Sequence, residues 1–107
     1  MIGIEQEKKV AQKLHVIARM VAKADRAEEL RELLAGLIEP TRAEAGCVMY
    51  TLWRNRENAN EFTFVEVWES EQALNKHLVT PHLQHAIGRL GDLLAEPLSL
   101  GKYDLIA

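Results

Sequence analysis

Residues 47–54, CVMYTLWR, and 61–69, EFTFVEVWE, are two strand-like runs separated only by the polar segment NRENAN. A connection that short and turn-forming joins antiparallel neighbours, so the middle of the chain reads as a hairpin. What flanks the hairpin narrows the fold further. Upstream, residues 13–22, KLHVIARMVA, read as a strand, with Leu14, Val16, Ala18 and Met20 on one face and His15, Ile17, Arg19 and Val21 on the other. Leu30, Leu33, Leu34, Leu37 and Ile38 then recur at helical spacing. Asp25 and Glu28 have capping-box spacing, which predicts that Asp25 opens this helix. Pro40 is expected to bend or end it, with TRAEA as a last turn and Gly46 as its stop. Downstream, Ser70 can cap a short helix carrying Leu74, His77 and Leu78. Thr80 and Pro81 read as cap and first position of another, with Leu83, Ala86, Ile87, Leu90 and Leu94 as its stripe. Residues 97–106, PLSLGKYDLI, supply a last strand.

The order β-α-β-β-α-β, with two right-handed crossovers, predicts an α+β ferredoxin-like fold with a four-stranded antiparallel sheet. One domain is expected over residues 13–107, preceded by a charged tail at 1–12 that either frays or docks on a partner. Both helical units fall on one face of the sheet. Yet the strands are apolar on both faces, unlike an open antiparallel sheet. Leaving about six apolar side chains wet forfeits roughly 9 kcal/mol, comparable with a whole domain's stability of about 5–15 kcal/mol. The expected cover is a second copy, sheet against sheet, in a two-fold homodimer. The alternative is a monomer whose tail crosses the sheet. A formal charge of -3 with scattered lysines and arginines does not resemble a nucleic-acid footprint. No apolar run approaches the roughly 20 residues of a membrane span. One cysteine, Cys47, fits a reducing compartment, and a cytoplasmic location is expected.

Three polar or amphipathic residues stand where a core favours Leu. Glu66 and Trp68 share a strand face with Phe62 and Phe64, and His77 lies on a helix stripe with Leu74 and Leu78. Glu66 either orients His77 or a substrate, or forms a structural ion pair with Arg19 or Arg54. An imidazole titrates near neutral pH and suits a general base. Trp68 is either core or a wall for a planar substrate, which Phe64 and Tyr50 can extend. His82, second in its helix, fits a capping or supporting role. On one regular helix His77 and His82 diverge by about 140°, so no metal site is expected. No glycine-rich phosphate cradle or dinucleotide fingerprint is present.

The run FVEVWES, the tract His77-Leu78-Val79-Thr80-Pro81-His82 and the upstream EPTRAEAGCVMY resemble the antibiotic-biosynthesis monooxygenase domains, in their quinol-monooxygenase-like form. The resemblance spans roughly residues 13 to 105. It implies a dimeric α+β barrel. It also implies oxidation of a quinol or a phenolic, polycyclic aromatic substrate, with molecular oxygen as co-substrate and no flavin, haem or metal. His77, Glu66 and Trp68 are then the expected catalytic set, and Phe64, Tyr50 and His82 the expected substrate contacts. Similar domains degrade haem with an asparagine and a histidine where this chain has Ala18 and Ile87. Others isomerise small phosphorylated carbonyl compounds, an alternative here, as is a dimeric module that binds a hydrophobic ligand without turnover.

Overall fold

The hydrophobic alternation of the first strand places Val16, Ala18 and Met20 in the core and leaves Ile17 exposed. This strand is β1 (Leu14–Val21), and in the computed structural model, which describes residues 13–107, it is an inner strand of a four-stranded sheet. The hairpin forms β2 (Cys47–Arg54) and β3 (Glu61–Trp68), and the last strand, β4, is confined to Ser99–Tyr103. The sheet order is β2-β3-β1-β4, all antiparallel. That is the ferredoxin-like arrangement expected for two crossovers around a hairpin.

Between β1 and β2 the chain forms helix α1 (Ala27–Ala35) and a short helix α2 (Ile38–Arg42). Three expectations fail here. Asp25 is not the cap: it lies in the left-handed region at φ 74°, and Arg26 holds the cap position with no side-chain bond. The chain leaving β1 turns through an Arg26 N–H bond to the Lys23 carbonyl at 3.0 Å, and aspartate tolerates the positive φ that this turn imposes. Pro40 does not end the first helix, which stops before Gly36. It sits in the first turn of α2, where its missing N–H has no carbonyl to serve. Gly46 is not the helix stop either: α2 ends at Arg42 with Ala43 as its cap, and Gly46, at φ 86°, lies in the turn just before β2. A Cβ there would meet the Ala73 Cβ at 2.6 Å, so this turn packs hard on the next helix.

Two helices follow β3, α3 (Glu71–Leu78) and α4 (Pro81–Leu93). Ser70 and Thr80 cap them, accepting from the N–H of Ala73 and of Leu83. All helices lie on one face of the sheet. Leu30, Leu34, Leu74, Ala86 and Leu93 bury against Val16, Phe62, Phe64 and Trp68. The other face bears Ile17, Met49, Trp53 and Tyr103, all exposed. The expected tail, residues 1–12, lies outside the described residues.

The start of β2 departs from simple alternation. Cys47 opposes Trp68 but Met49 opposes Val67, so Val48 is an extra residue in a bulge. The bulge turns Tyr50 and Leu52 toward the helices, with Tyr50 level with Glu66 and Val16 across three strands.

Candidate active site

Glu66 occupies the middle of the sheet on its helix side and is 4% exposed. Neither arginine weighed as its ion partner reaches it. Arg19 pairs with Glu61 and Glu96, and Arg54 with Glu28. Its partner is Trp68, whose indole N–H donates to Oε1 at 2.8 Å. Burial pushes the Glu66 carboxyl up to about 7, and the charge of Glu44 adds to the rise against the pull of the indole N–H.

His77 descends onto the same spot from α3 and is 2% exposed. Its ring lies 4.7 Å from that of Trp68 and meets Tyr50 edge-on at 5.5 Å. What orients it is Glu44, in the turn after α2: Nδ1 is 2.8 Å from Glu44 Oε2. The same oxygen is 2.7 Å from Nε2 of His82. An ionised carboxylate only accepts, so each imidazole directs an N–H at Oε2. That leaves the Nε2 of His77 as a lone pair. Burial lowers the pKa of His77, outweighing the opposite effect of Glu44, and this keeps the ring a neutral base. Burial, together with the charge of Glu66, raises the Tyr50 phenol, which stays protonated.

The divergence of His77 and His82 does not survive in three dimensions. The helix breaks at Val79 and restarts at Pro81, so the two rings belong to different helices and their centroids are 6.2 Å apart. Glu44 was not among the residues singled out from the sequence. Its one signal was its place in the EAGC turn, with the Glu44 N–H bonded to the Thr41 carbonyl and the Cys47 N–H to that of Glu44.

A cavity of about 70 Å³ lies between the sheet and α1, α3 and α4. Glu66, His77, Tyr50 and Phe64 line it among Met, Leu, Ile and Ala side chains. The exposed residues Ile87, Leu98 and Leu100 mark its mouth. Trp68 does not line it. The indole is fully buried behind, spent on Glu66 and on the His77 ring, so it supports the cavity instead of walling it. His82 is also absent from the lining: Glu44 holds it at the outer end of the cluster, and it faces a shallow surface groove with Glu32 and His85. Ala18 and Ile87, the positions compared with haem-degrading domains, both line the cavity and neither can ligate iron. Cys47 is half-buried, and burial raises its thiol pKa, which disfavours the thiolate.

The antibiotic biosynthesis monooxygenase family matches residues 13–89. Over 85 residues the chain is 36% identical to Rv0793 of Mycobacterium tuberculosis, named as a proposed monooxygenase, covering 79% of this chain and 83% of that protein. It is 34% identical over 90 residues, 84% of this chain, to the uncharacterized protein sll1783 of Synechocystis, and spans only 61% of that protein's length. The crystal structure of PA3566 from Pseudomonas aeruginosa superposes with a TM-score of 0.86 at 31% identity, covering 92% of this chain and 98% of that one.

Proposed function

The chain belongs to the antibiotic biosynthesis monooxygenase family, and on that premise we propose that it oxidises a small quinol with molecular oxygen and no resident cofactor. The observation that carries the reading is the buried imidazole at the cavity, its Nδ1–H held by Glu44 at 2.8 Å and its Nε2 free for a guest. A phenolic O–H docked there gives its proton to Nε2, and Glu44 stabilises the imidazolium that forms. The remaining anion is electron-rich enough to reduce oxygen. A quinol also balances the reaction. Going to a hydroxyquinone, it supplies all four electrons that oxygen needs, with one oxygen atom entering the ring and the other leaving as water. The proton stored on His77 can return to the departing oxygen. A monophenol going to a quinone balances in the same way, so electron count alone does not separate the two.

The cavity also bears on size. About 70 Å³ is half of the roughly 150 Å³ that encloses a benzene. A single ring therefore needs Ile87, Leu98 and Leu100 at the mouth to part, and a polycyclic substrate needs still more room. Among the described residues no lysine or arginine lines the cavity, which disfavours the isomerase alternative with its phosphorylated substrates. A ligand-binding module needs the same cavity and differs only in lacking turnover. We further propose a homodimer through the uncovered sheet face, where Ile17, Met49, Trp53 and Tyr103 stand exposed.

The test is oxygen uptake with a chemically reduced monocyclic quinol, wild type against His77→Ala. The expected result is turnover above autoxidation that the variant loses by about a hundredfold or more. Equal rates for both proteins eliminate the reading.

A further inference from the structure

We propose that Glu44, His77 and His82 form a binding site for one divalent cation of the zinc class, and that its occupancy switches His77 from base to hydrogen-bond donor. The switch rests on the function proposed above; the site does not.

Three donor atoms from three elements meet there: Oε2 of Glu44 from the turn after α2, Nδ1 of His77 from α3 and Nε2 of His82 from α4. All lie within 4.8 Å of one another. Two imidazoles and a carboxylate are a ligand set that zinc-class ions favour, with a position left for water. The donors are pre-positioned: the His77 ring is stacked on Trp68 and edged by Tyr50, and Thr80 caps α4 and fixes the break that brings His82 round. No lysine or arginine bonds to Glu44 among the described residues, so no resident cation competes. An entry path exists at His82, whose side chain is 26% exposed against 3% for His77, beside Glu32 and His85 in the surface groove. Metal–ligand bonds of about 2.0–2.1 Å set tetrahedral donors roughly 3.3 Å apart. Binding therefore needs the Glu44 oxygen and the outer His82 ring to shift, opening the two contacts to Oε2 by about half an ångström and bringing the nitrogens, now within 4.8 Å of each other, to the same separation.

The chemical consequence follows from the neutral imidazole's single mobile proton. Without metal that proton sits on Nδ1, facing Glu44, and Nε2 is the base. With a cation on Nδ1 the proton must occupy Nε2, so the cavity meets a donor instead of a lone pair. No proton is gained or lost and no bond to substrate is needed. The ion stays behind the cavity, since neither Glu44 nor His82 lines it.

The experiment titrates chelator-treated protein with Zn²⁺ alone, by calorimetry and by equilibrium dialysis, in wild type and His82→Gln. Glutamine keeps a donor for Glu44 but removes a ligating nitrogen. One ion per chain is expected in wild type, with affinity weakened by more than about tenfold in the variant, at least the loss seen for an outer partner. Histidine ¹⁵N spectra should show the His77 proton moving from Nδ1 to Nε2 on binding. No bound ion, or equal binding by both proteins, overturns the site. Binding with the His77 proton still on Nδ1 overturns the switch. Where a quinol is turned over, Zn²⁺ should stop wild-type oxygen uptake at levels that leave His82→Gln unaffected. Absence of any quinol oxidation removes the enzymatic reading, and the binding and spectral results still decide the site and the tautomer.

Discussion

Glu66 sits where the interior opposes its charge. In the unfolded chain a glutamate ionises near 4.5, and here it holds its proton up to about 7. At low pH both states are protonated, and the group is neutral in the balance. As pH rises through this window the unfolded carboxyl ionises first, so folding stability falls, by about 3 kcal/mol once pH 7 is passed. Glu66→Gln keeps an oxygen for the Trp68 N–H and cannot ionise. It should match wild type near pH 4 and exceed it by a few kcal/mol at pH 8 in urea unfolding. Parallel profiles would show that Glu66 is not the source of the slope. Glu44 calls for a different test. In the proposed reaction its charge stabilises the His77 imidazolium, so Glu44→Gln should lower kcat for quinol oxidation by about a hundredfold while changing KM little. A loss confined to KM would assign Glu44 to binding instead.

Among the elements, α4 is the one with evident slack. Gly88 and Gly91 lie inside it, both exposed, and an added Cβ at either position meets nothing within 4 Å. Alanine at each should stabilise by about 0.5–1 kcal/mol, read as a rise in thermal midpoint. No gain at either position would mean that the glycines answer to a contact outside the chain. Most element boundaries were legible in the sequence because local chemistry sets them. Ser70 and the Thr80-Pro81 pair mark their helix starts through backbone bonds made within a few residues. The start of α1 was not legible, since Asp25 answers to the exit path of β1 and not to the helix after it. Nor was the bulge at Val48, because sheet register is a bargain between strands and leaves no mark in either one. The site shows the same division. Glu66, His77 and Trp68 were conspicuous as polar or bulky residues on greasy faces. Glu44 was hidden, being an acidic residue in a polar turn, and its role comes from two helices distant in sequence.

For the whole molecule, the proposed assembly turns on the sheet face without helices. Ile17, Met49, Trp53 and Tyr103 form an apolar surface of the kind that monomers rarely keep. Replacing Trp53 and Ile17 together by glutamate should halve the mass seen by analytical ultracentrifugation while the circular dichroism spectrum is retained. An unchanged mass would mean that the pairing surface lies elsewhere. Because the cavity and this surface occupy opposite sides of one sheet, the proposed pairing would set the two cavities back to back. In such a pair two β-layers, packed about 10 Å apart, would stand between them like a double partition. A guest entering one cavity of that dimer would then share no side chain with the other. Saturation by substrate should follow a plain hyperbola, with a Hill coefficient near one and both chambers working independently.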